Sequence, residues 1–437
     1  MWPYLLQLDP NAKLSFFGIV LASFSVGQAI GSPIIGYWSE KSRKFKLPIA
    51  TGLGLCIAGN LIYGLLPILQ NVKILIILSR ILIGFGCGNL SALRAYVSAC
   101  STEQDRNKAI SYSFGSFSSG MLSGPILQSI FAMTFGEHTY LKLLDAYTTP
   151  AFFLSSAFSI TVILVFYFFD DDSFAGVISE TDESKVELPQ FDKLPAFLCI
   201  FLWFIIQLVF VEQESLSTVL TIAMYDWTSN QAIIYNGYIE TLSCFITVST
   251  YVVLGSTRIG EINKRFNILV GLGLFASYFI VLLPWPVYSG KLDYNPNVTD
   301  GACTYSWCPD LPQVPLPLYL FVYIICNGIA FPFLTNAIGT LFSQILGPKH
   351  QGTMQGVYAF FGSLARILAP LMCTTLFDVS GYTWISVIIL SVISSAVFST
   401  IILWRRIIPM QIDKNLLTPK PTDANPTFWQ VSNDNTQ

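Results

Sequence analysis

Runs of about twenty apolar residues, separated by short polar breaks, follow one another along almost the whole chain. They fall at 14–37, 47–68, 74–99, 109–134, 148–169, 194–218, 232–256, 266–285, 315–345, 353–376 and 384–404. Each is long enough to cross the roughly 30 Å hydrocarbon core of a bilayer as a helix, and the breaks between most of them suit a compact bundle. The pattern predicts an all-α polytopic membrane protein with about eleven full spans. Ahead of the first run lie only Met1 to Pro10, where Trp2-Pro3-Tyr4-Leu5-Leu6 reads as the tail of one more helix. The expectation is a twelve-span plan with its first helix truncated.

Composition narrows the class. Of 437 residues 53% are hydrophobic and 11% charged, with a mean hydropathy of +0.59; a soluble domain carries about 25% charged residues. A transmembrane β-barrel would show alternating segments of about ten residues in place of continuous apolar blocks. The net charge of −3 and the lack of a basic domain exclude a nucleic-acid partner. Nothing basic precedes Trp2 and no small-residue cleavage site follows, so no cleavable signal peptide is expected. No metal-ligand cluster, phosphate loop or nucleophile triad is present, and His138 and His350 both fall in loops. The chain reads as no enzyme, with no cofactor.

The polar breaks set an orientation. One set holds Lys41, Arg43, Lys44, Lys46, Arg106, Lys108, Lys185, Lys193, Arg258, Lys264, Arg265, Lys349, Arg405, Arg406, Lys414 and Lys420; the other holds only Lys13, Lys73, Lys142 and Lys291. The first set is expected to be cytoplasmic. The glycosylation sequon Asn297-Val298-Thr299 falls on the opposite, lumenal or extracellular, side. Cys303 and Cys308 flank Trp307 in that same loop and are candidates for a disulfide there; the other seven cysteines sit in or at the ends of spans and read as packing residues. Residues 171–193 form an acid-rich cytoplasmic linker. It divides an N-terminal helix bundle, 1–170, from a C-terminal bundle, 194–404, and a polar cytoplasmic tail follows at 405–437. In that tail Asp413-Lys414-Asn415-Leu416-Leu417 resembles an acidic dileucine sorting signal, which points to sorting adaptors at Asp413, Leu416 and Leu417.

Charge inside a span is costly and marks function. Arg80 opens a glycine-rich string, 80–88, whose glycines allow a neighbouring helix to approach closely. Arg94 follows near four helical turns later, so both arginines lie roughly on one face. They would line an anion path, or Arg94 would snorkel to the cytoplasmic interface or pair with Glu40. Arg366 lies mid-span with no interface in reach. It would line a cavity, or pair with Glu212, Glu214 or Glu240. Glu212 and Glu214 are two apart, so they point to different sides of a helix. A glutamate buried in a span can hold a proton, which makes Glu214, Glu240 and Glu212 candidates for proton coupling.

Two further patterns point to one family. The string Phe114-Gly115-Ser116, followed by Ser123-Gly124-Pro125, has an echo in Phe361-Gly362-Ser363, followed by Leu368-Ala369-Pro370. Such an internal repeat marks two related halves. Between the first two full spans, Gly36, Glu40, Lys41, Arg43 and Lys44 place an acid and three bases in one short loop, with a weaker echo at 255–265. The loop resembles the signature between the second and third helices of the major facilitator superfamily. That resemblance implies two pseudo-symmetric six-helix bundles around a central cavity, with this loop as a gate latch on the cytoplasmic side.

Longer strings, at 2–10, 224–228, 235–237, 345–349 and 365–370, resemble an endolysosomal branch of the superfamily. They imply an endosomal or lysosomal membrane and permeation of an anion, chloride being the ion proposed for that branch. Arg80, Arg94, Glu214 and Arg366 fall where the branch carries the same charges; Glu212 and Glu240 do not. Glu40 and Ser42 stand where the superfamily usually has Asp and Gly, and the cysteine pair is closer than in the branch. Three readings follow: an anion-permeating transport protein, a proton-coupled carrier of a small organic solute, and a non-transporting membrane scaffold or receptor.

Overall fold

Hydrocarbon offers no water to a bare backbone, so each apolar run must close its hydrogen bonds within itself as a helix. The computed structural model describes residues 4–5, 8, 14–102, 105–135, 145, 147–169, 171, 191–261, 263–292, 294, 303, 305–348 and 351–410. The first half contains α1 (Leu14–Ser42), α2 (Lys46–Leu65), α3 (Val72–Cys87), α4 (Asn89–Cys100), α5 (Arg106–Phe135) and α6 (Thr149–Phe168). The second contains α7 (Lys193–Tyr225), α8 (Ser229–Ser256), α9 (Lys264–Leu282), α10 (Leu316–Phe321), a π-helical turn (Val322–Asn327), α11 (Gly328–Leu346), α12 (Gly352–Ser380) and α13 (Tyr382–Ile402). Among the described residues ten helices are long and apolar enough to cross a membrane, and α5 occupies the remaining predicted span at 109–134. Ahead of α1, Tyr4 and Leu5 are helical and fully buried, packed with Val20, Leu66 and Ile76.

Three boundaries differ from the sequence reading. The loop expected at 36–44 is mostly the last two turns of α1, and the chain turns only at Arg43–Phe45, with Arg43 in the left-handed region at φ 52°. Asp171 caps the next helix by accepting from the Phe45 and Lys46 amides. The span expected to end at 218 runs on to Tyr225. Asp226, at φ 54°, ends it, and Thr228 with Gln231 forms a capping box that starts α8. The span at 315–345 is interrupted by the π turn.

Within the first half α1 packs on α3, and α2 on α3 and α6; within the second, α7 packs on α12 and α9 on α11 and α13. The halves meet along two seams, α1 against α12 and α5 against α8. Large apolar side chains such as Ile163, Phe197, Phe245 and Phe398 point outward, away from both cores, as a lipid-facing surface requires. Glycines set the closeness of α1 and α3: a Cβ on Gly84 would lie 2.0 Å from the Phe24 carbonyl oxygen, and one on Gly88 2.5 Å from the Gly31 carbonyl carbon. A two-stranded ribbon, β1 (Gly290–Lys291) and β2 (Pro312–Gln313), sits at the end opposite the basic loops. Beside it Cys303 and Cys308 form a disulfide.

Candidate functional site

The two seams are tightest at the basic end of the molecule. Gly36 of α1 and Gly352 of α12 touch through their backbones, and a Cβ on Gly36 would come within 2.3 Å of the Gly352 carbonyl oxygen. One turn on, Glu40 Oε2 accepts a 2.6 Å hydrogen bond from the Thr353 amide. This puts a carboxylate on the N-terminus of α12, where the helix dipole favours negative charge. On the α5–α8 side, Asn107 donates to the Leu254 carbonyl (3.3 Å), Asn336 donates to Asn107 Oδ1 (3.0 Å), and Ser111 donates to Asn336 Oδ1 (2.8 Å). Asn107, Ser111 and Asn336 are buried, and their donors are matched with acceptors across the halves. Lys41 is exposed and lies over the Tyr37 ring of its own helix, and Arg43 and Lys44 are also exposed. Of the loop's charges, Glu40 bonds across the seam.

Beyond this seal the halves separate around a cavity of about 1000 Å³. Its wall includes Arg80, Arg94, Glu214 and Arg366, together with Trp203, Gln207 and Tyr358. Arg94 forms the floor. Its guanidinium carbon lies 4.7 Å from the centre of the Trp203 ring and 5.5 Å from those of Phe114 and Tyr358. Phe114 comes from the first half and the other two rings from the second, so the cage forms only when the halves are together. Cation–π contacts give roughly 0.5–2 kcal/mol each as desolvation increases, which offsets part of the cost of burying the charge. Arg94 Nη1, Trp203 Nε1 and Tyr358 Oη are all buried without a hydrogen-bond partner. The Trp203 Nε1 edge packs against Gly362 of α12, so Arg94 Nη1 and Tyr358 Oη are the two donors left to an acceptor at the floor.

Arg366 stands higher on α12. It donates through Nε to Gln207 Oε1 at 2.8 Å and through Nη1 to Gln28 Oε1 at 3.4 Å. Gln207 is in the second half and Gln28 in the first. The guanidinium is thus held by neutral amides, and among the described residues it has no ion pair with any of the three glutamates weighed against it. Arg80 stands higher again, fourteen residues before Arg94 in the chain, about 21 Å away by helical rise. Its guanidinium lies 5.8 Å from the Phe24 ring centre. Arg94 neither snorkels to the basic end nor pairs with Glu40.

The glutamates separate. Glu214 lines the cavity. Glu212, two residues away, is 3% exposed within the second-half core, with Oε2 unpartnered. It does not line the cavity, because an offset of two residues turns it about 200° round α7 from Glu214. Glu240 lines a smaller pocket beside the cavity, which it shares with Glu214. Asn297, and the Asp413, Leu416 and Leu417 tail motif, lie outside the described residues. Among the described residues no group of three or more His, Cys, Asp or Glu side chains could hold a metal.

Gln28, Trp203, Gln207, Asn336 and Tyr358 were not singled out from the sequence. Two of them carried a signal: Gln28 and Gln207 are amides within otherwise apolar runs. Phe114 sat in the repeated string without its role being readable.

The family model described as Major Facilitator Superfamily matches residues 1–294. Major facilitator superfamily domain-containing protein 8 of Xenopus laevis is 29% identical over 456 residues, covering 94% of this chain and 87% of that protein. Tetracycline resistance protein, class E, of Escherichia coli is 22% identical over 84% of this chain and 80% of that protein. Among solved structures, the human organic anion transporter superposes with a TM-score of 0.66 at 15% identity, covering 91% of this chain and 88% of that one. The E. coli fucose:proton symporter gives 0.66 at 13% identity, covering 91% and 92%.

Proposed function

The chain belongs to the major facilitator superfamily, and from that membership we propose that it permeates a small anion, chloride, across an endolysosomal membrane. It is a multi-pass membrane transport protein and not an enzyme. The observation that carries the anion reading is the cavity floor. Arg94 and Arg366 face one cavity, neither has an ion-pair partner among the described residues, and the unpartnered Tyr358 Oη lies beside the lower one. Such a floor is electrostatically complementary to an anion, and the enclosing low-dielectric wall strengthens that attraction. The compartment rests on the strings at 2–10, 224–228 and 365–370, which resemble the endolysosomal branch.

With the basic end taken as cytoplasmic, this conformation is sealed toward the cytoplasm and open toward the lumen. The anion enters from the lumen, passes Arg80, and is held between Arg366 and Arg94. Rocking of the halves breaks the Glu40–Thr353 and Asn107–Asn336 contacts and separates Phe114 from Trp203 and Tyr358. That dismantles the aromatic cage and frees the anion on the other side.

The test is chloride flux into proteoliposomes. Arg94→Gln and Arg366→Gln, each folded as judged by monodisperse elution and an unchanged melting temperature, should reduce flux by about tenfold or more, the equivalent of at least 1.4 kcal/mol. Unchanged flux in both would overturn the reading.

The size of the cavity favours a second reading. About 1000 Å³ is far more than a halide fills, and Phe114, Phe117, Phe210, Trp203 and Phe331 line it. A carboxylate-bearing organic solute fits that space, with its charge on the same arginines and Glu214 carrying a coupled proton. Competition of chloride flux by small aromatic carboxylates, together with loss of pH dependence in Glu214→Gln, would select this reading; neither effect would appear with chloride alone.

A further inference from the structure

A smaller pocket of about 60 Å³ opens beside the central cavity, between the second half and Ser118 and Met121 of α5. Glu214 and Gln213 reach it from α7, Glu240, Ser243 and Thr247 from α8, and Asn327 from the π turn. Glu214, Met121, Phe210 and Phe331 line both spaces, so the pocket and the cavity share a wall.

Its closed end is polar and unsatisfied. Asn327 is 6% exposed, and both its Nδ2 and its Oδ1 lack a hydrogen-bond partner. Gln213 is 8% exposed, and its Nε2 is also unpartnered. Buried side-chain amides are almost always bonded, and one left bare on both atoms has room for a water or an ion as its partner. The backbone carries a second mark. Asn327 is the last residue of the π turn Val322–Asn327, and single π turns inside α-helices gather at functional sites.

Charge and donor type decide what fits. Glu214 and Glu240 have no ion pair among the described residues. The cation facing this region is Arg366, which shares the central cavity with Glu214. Of the other titratable side chains on the pocket wall, Cys244 and Tyr323 are neutral in their ordinary forms. Two carboxylates against one guanidinium leave a single net negative charge, which one monovalent cation balances and a divalent one overshoots. The carboxylate, amide and hydroxyl oxygens on the wall, set among apolar side chains such as Phe210 and Phe275, are the donors a hard cation takes. The volume accommodates one such ion with a water, since liquid water takes about 30 Å³ per molecule.

We propose that this side pocket binds sodium, between the carboxylates of Glu214 and Glu240, with Asn327 Oδ1 at its closed end. The anion reading is not needed for this, because binding is measured without transport. If both hold, Glu214 is the link: it belongs to the cation pocket and to the wall of the anion cavity, so occupancy of one changes the field in the other.

The test is thermal unfolding of the full chain in lipid nanodiscs, in sodium chloride against choline chloride at equal chloride. Sodium should raise the melting temperature saturably, by about 2–4 °C. Glu240→Gln and Asn327→Ala should lose that rise while melting normally in choline. Saturable uptake of radioactive sodium by the wild-type protein in equilibrium dialysis supports the site even where a variant fails to fold. Equal melting in both salts together with no saturable uptake overturns it. So does a sodium effect that survives in both variants, or a stabilisation by acid, independent of sodium, that Glu240→Gln removes, which would make the pocket a proton site. Chloride flux enters none of these readouts, so failure here is distinct from failure of the anion reading.

Discussion

The basic end and the cavity floor are both places where the two halves touch, and both are built from buried polar residues. At the basic end four polar contacts cross the seam: Glu40 with the Thr353 amide, Asn107 with Leu254, Asn336 with Asn107, and Ser111 with Asn336. On the floor, Arg94 Nη1, Trp203 Nε1 and Tyr358 Oη meet none. A satisfied buried network holds surfaces together, whereas an unsatisfied one is costly until something fills it. The first region is adhesive and the second receptive, although they lie on the same helices: α12 carries Thr353 and, less than two turns later, Tyr358.

The largest effect should come from forcing the adhesive region apart. Gly36→Val places side-chain atoms where the Gly352 carbonyl now sits, so the basic end cannot close. Ser39, fully buried beside Gly352, reports this when replaced by cysteine. Labelling of Ser39→Cys by a membrane-impermeant thiol reagent, applied from the basic side, should rise at least tenfold in the Gly36→Val background, and flux should be lost. If labelling and flux both match the parent, glycine contact is not what seals this end.

A smaller effect is expected from sharpening the receptive region. Tyr358→Phe keeps an aromatic face over Arg94 but removes the unpartnered Oη–H. The anion concentration for half-maximal flux should rise by about tenfold or more, the worth of one hydrogen bond to a charged acceptor, while maximal flux changes little. An unchanged half-saturation would mean that the phenol contributes its face alone.

The smallest effect should be Glu40→Gln. The amide oxygen can still accept from Thr353, so only the charge on the α12 N-terminus is lost, about 0.3–1 kcal/mol. Labelling of Ser39→Cys should rise by no more than about fivefold. A rise comparable to that in Gly36→Val would mean that charge, and not backbone contact, dominates the seal.

Much of the fold was legible in one dimension, and the exceptions share a cause. Span positions came from apolar length, and α7 runs on from the expected end at 218 to Tyr225. It carries Glu212, Gln213 and Glu214 within it because Gln213 and Glu214 face pocket and cavity and Glu212 enters a core. The loop at 36–44 was read as a hairpin, but its first seven residues are helix, which is what brings Glu40 over the start of α12. The arginines were legible as costly charges; their neighbours were not.

The sequence by itself determined the number of spans, the basic end, the repeat and the set of charges inside the membrane. These depend on local length, charge and spacing, which a chain carries before it folds. Only the tertiary structure decided that Arg366 rests on Gln28 and Gln207 and not on a glutamate. It also decided that Arg94 is caged by rings from both halves, and that Glu214 and Glu240 share a pocket from which Glu212 is turned away. Each of those outcomes depends on how helices distant in sequence rotate and close against one another, and packing across the two seams sets that rotation.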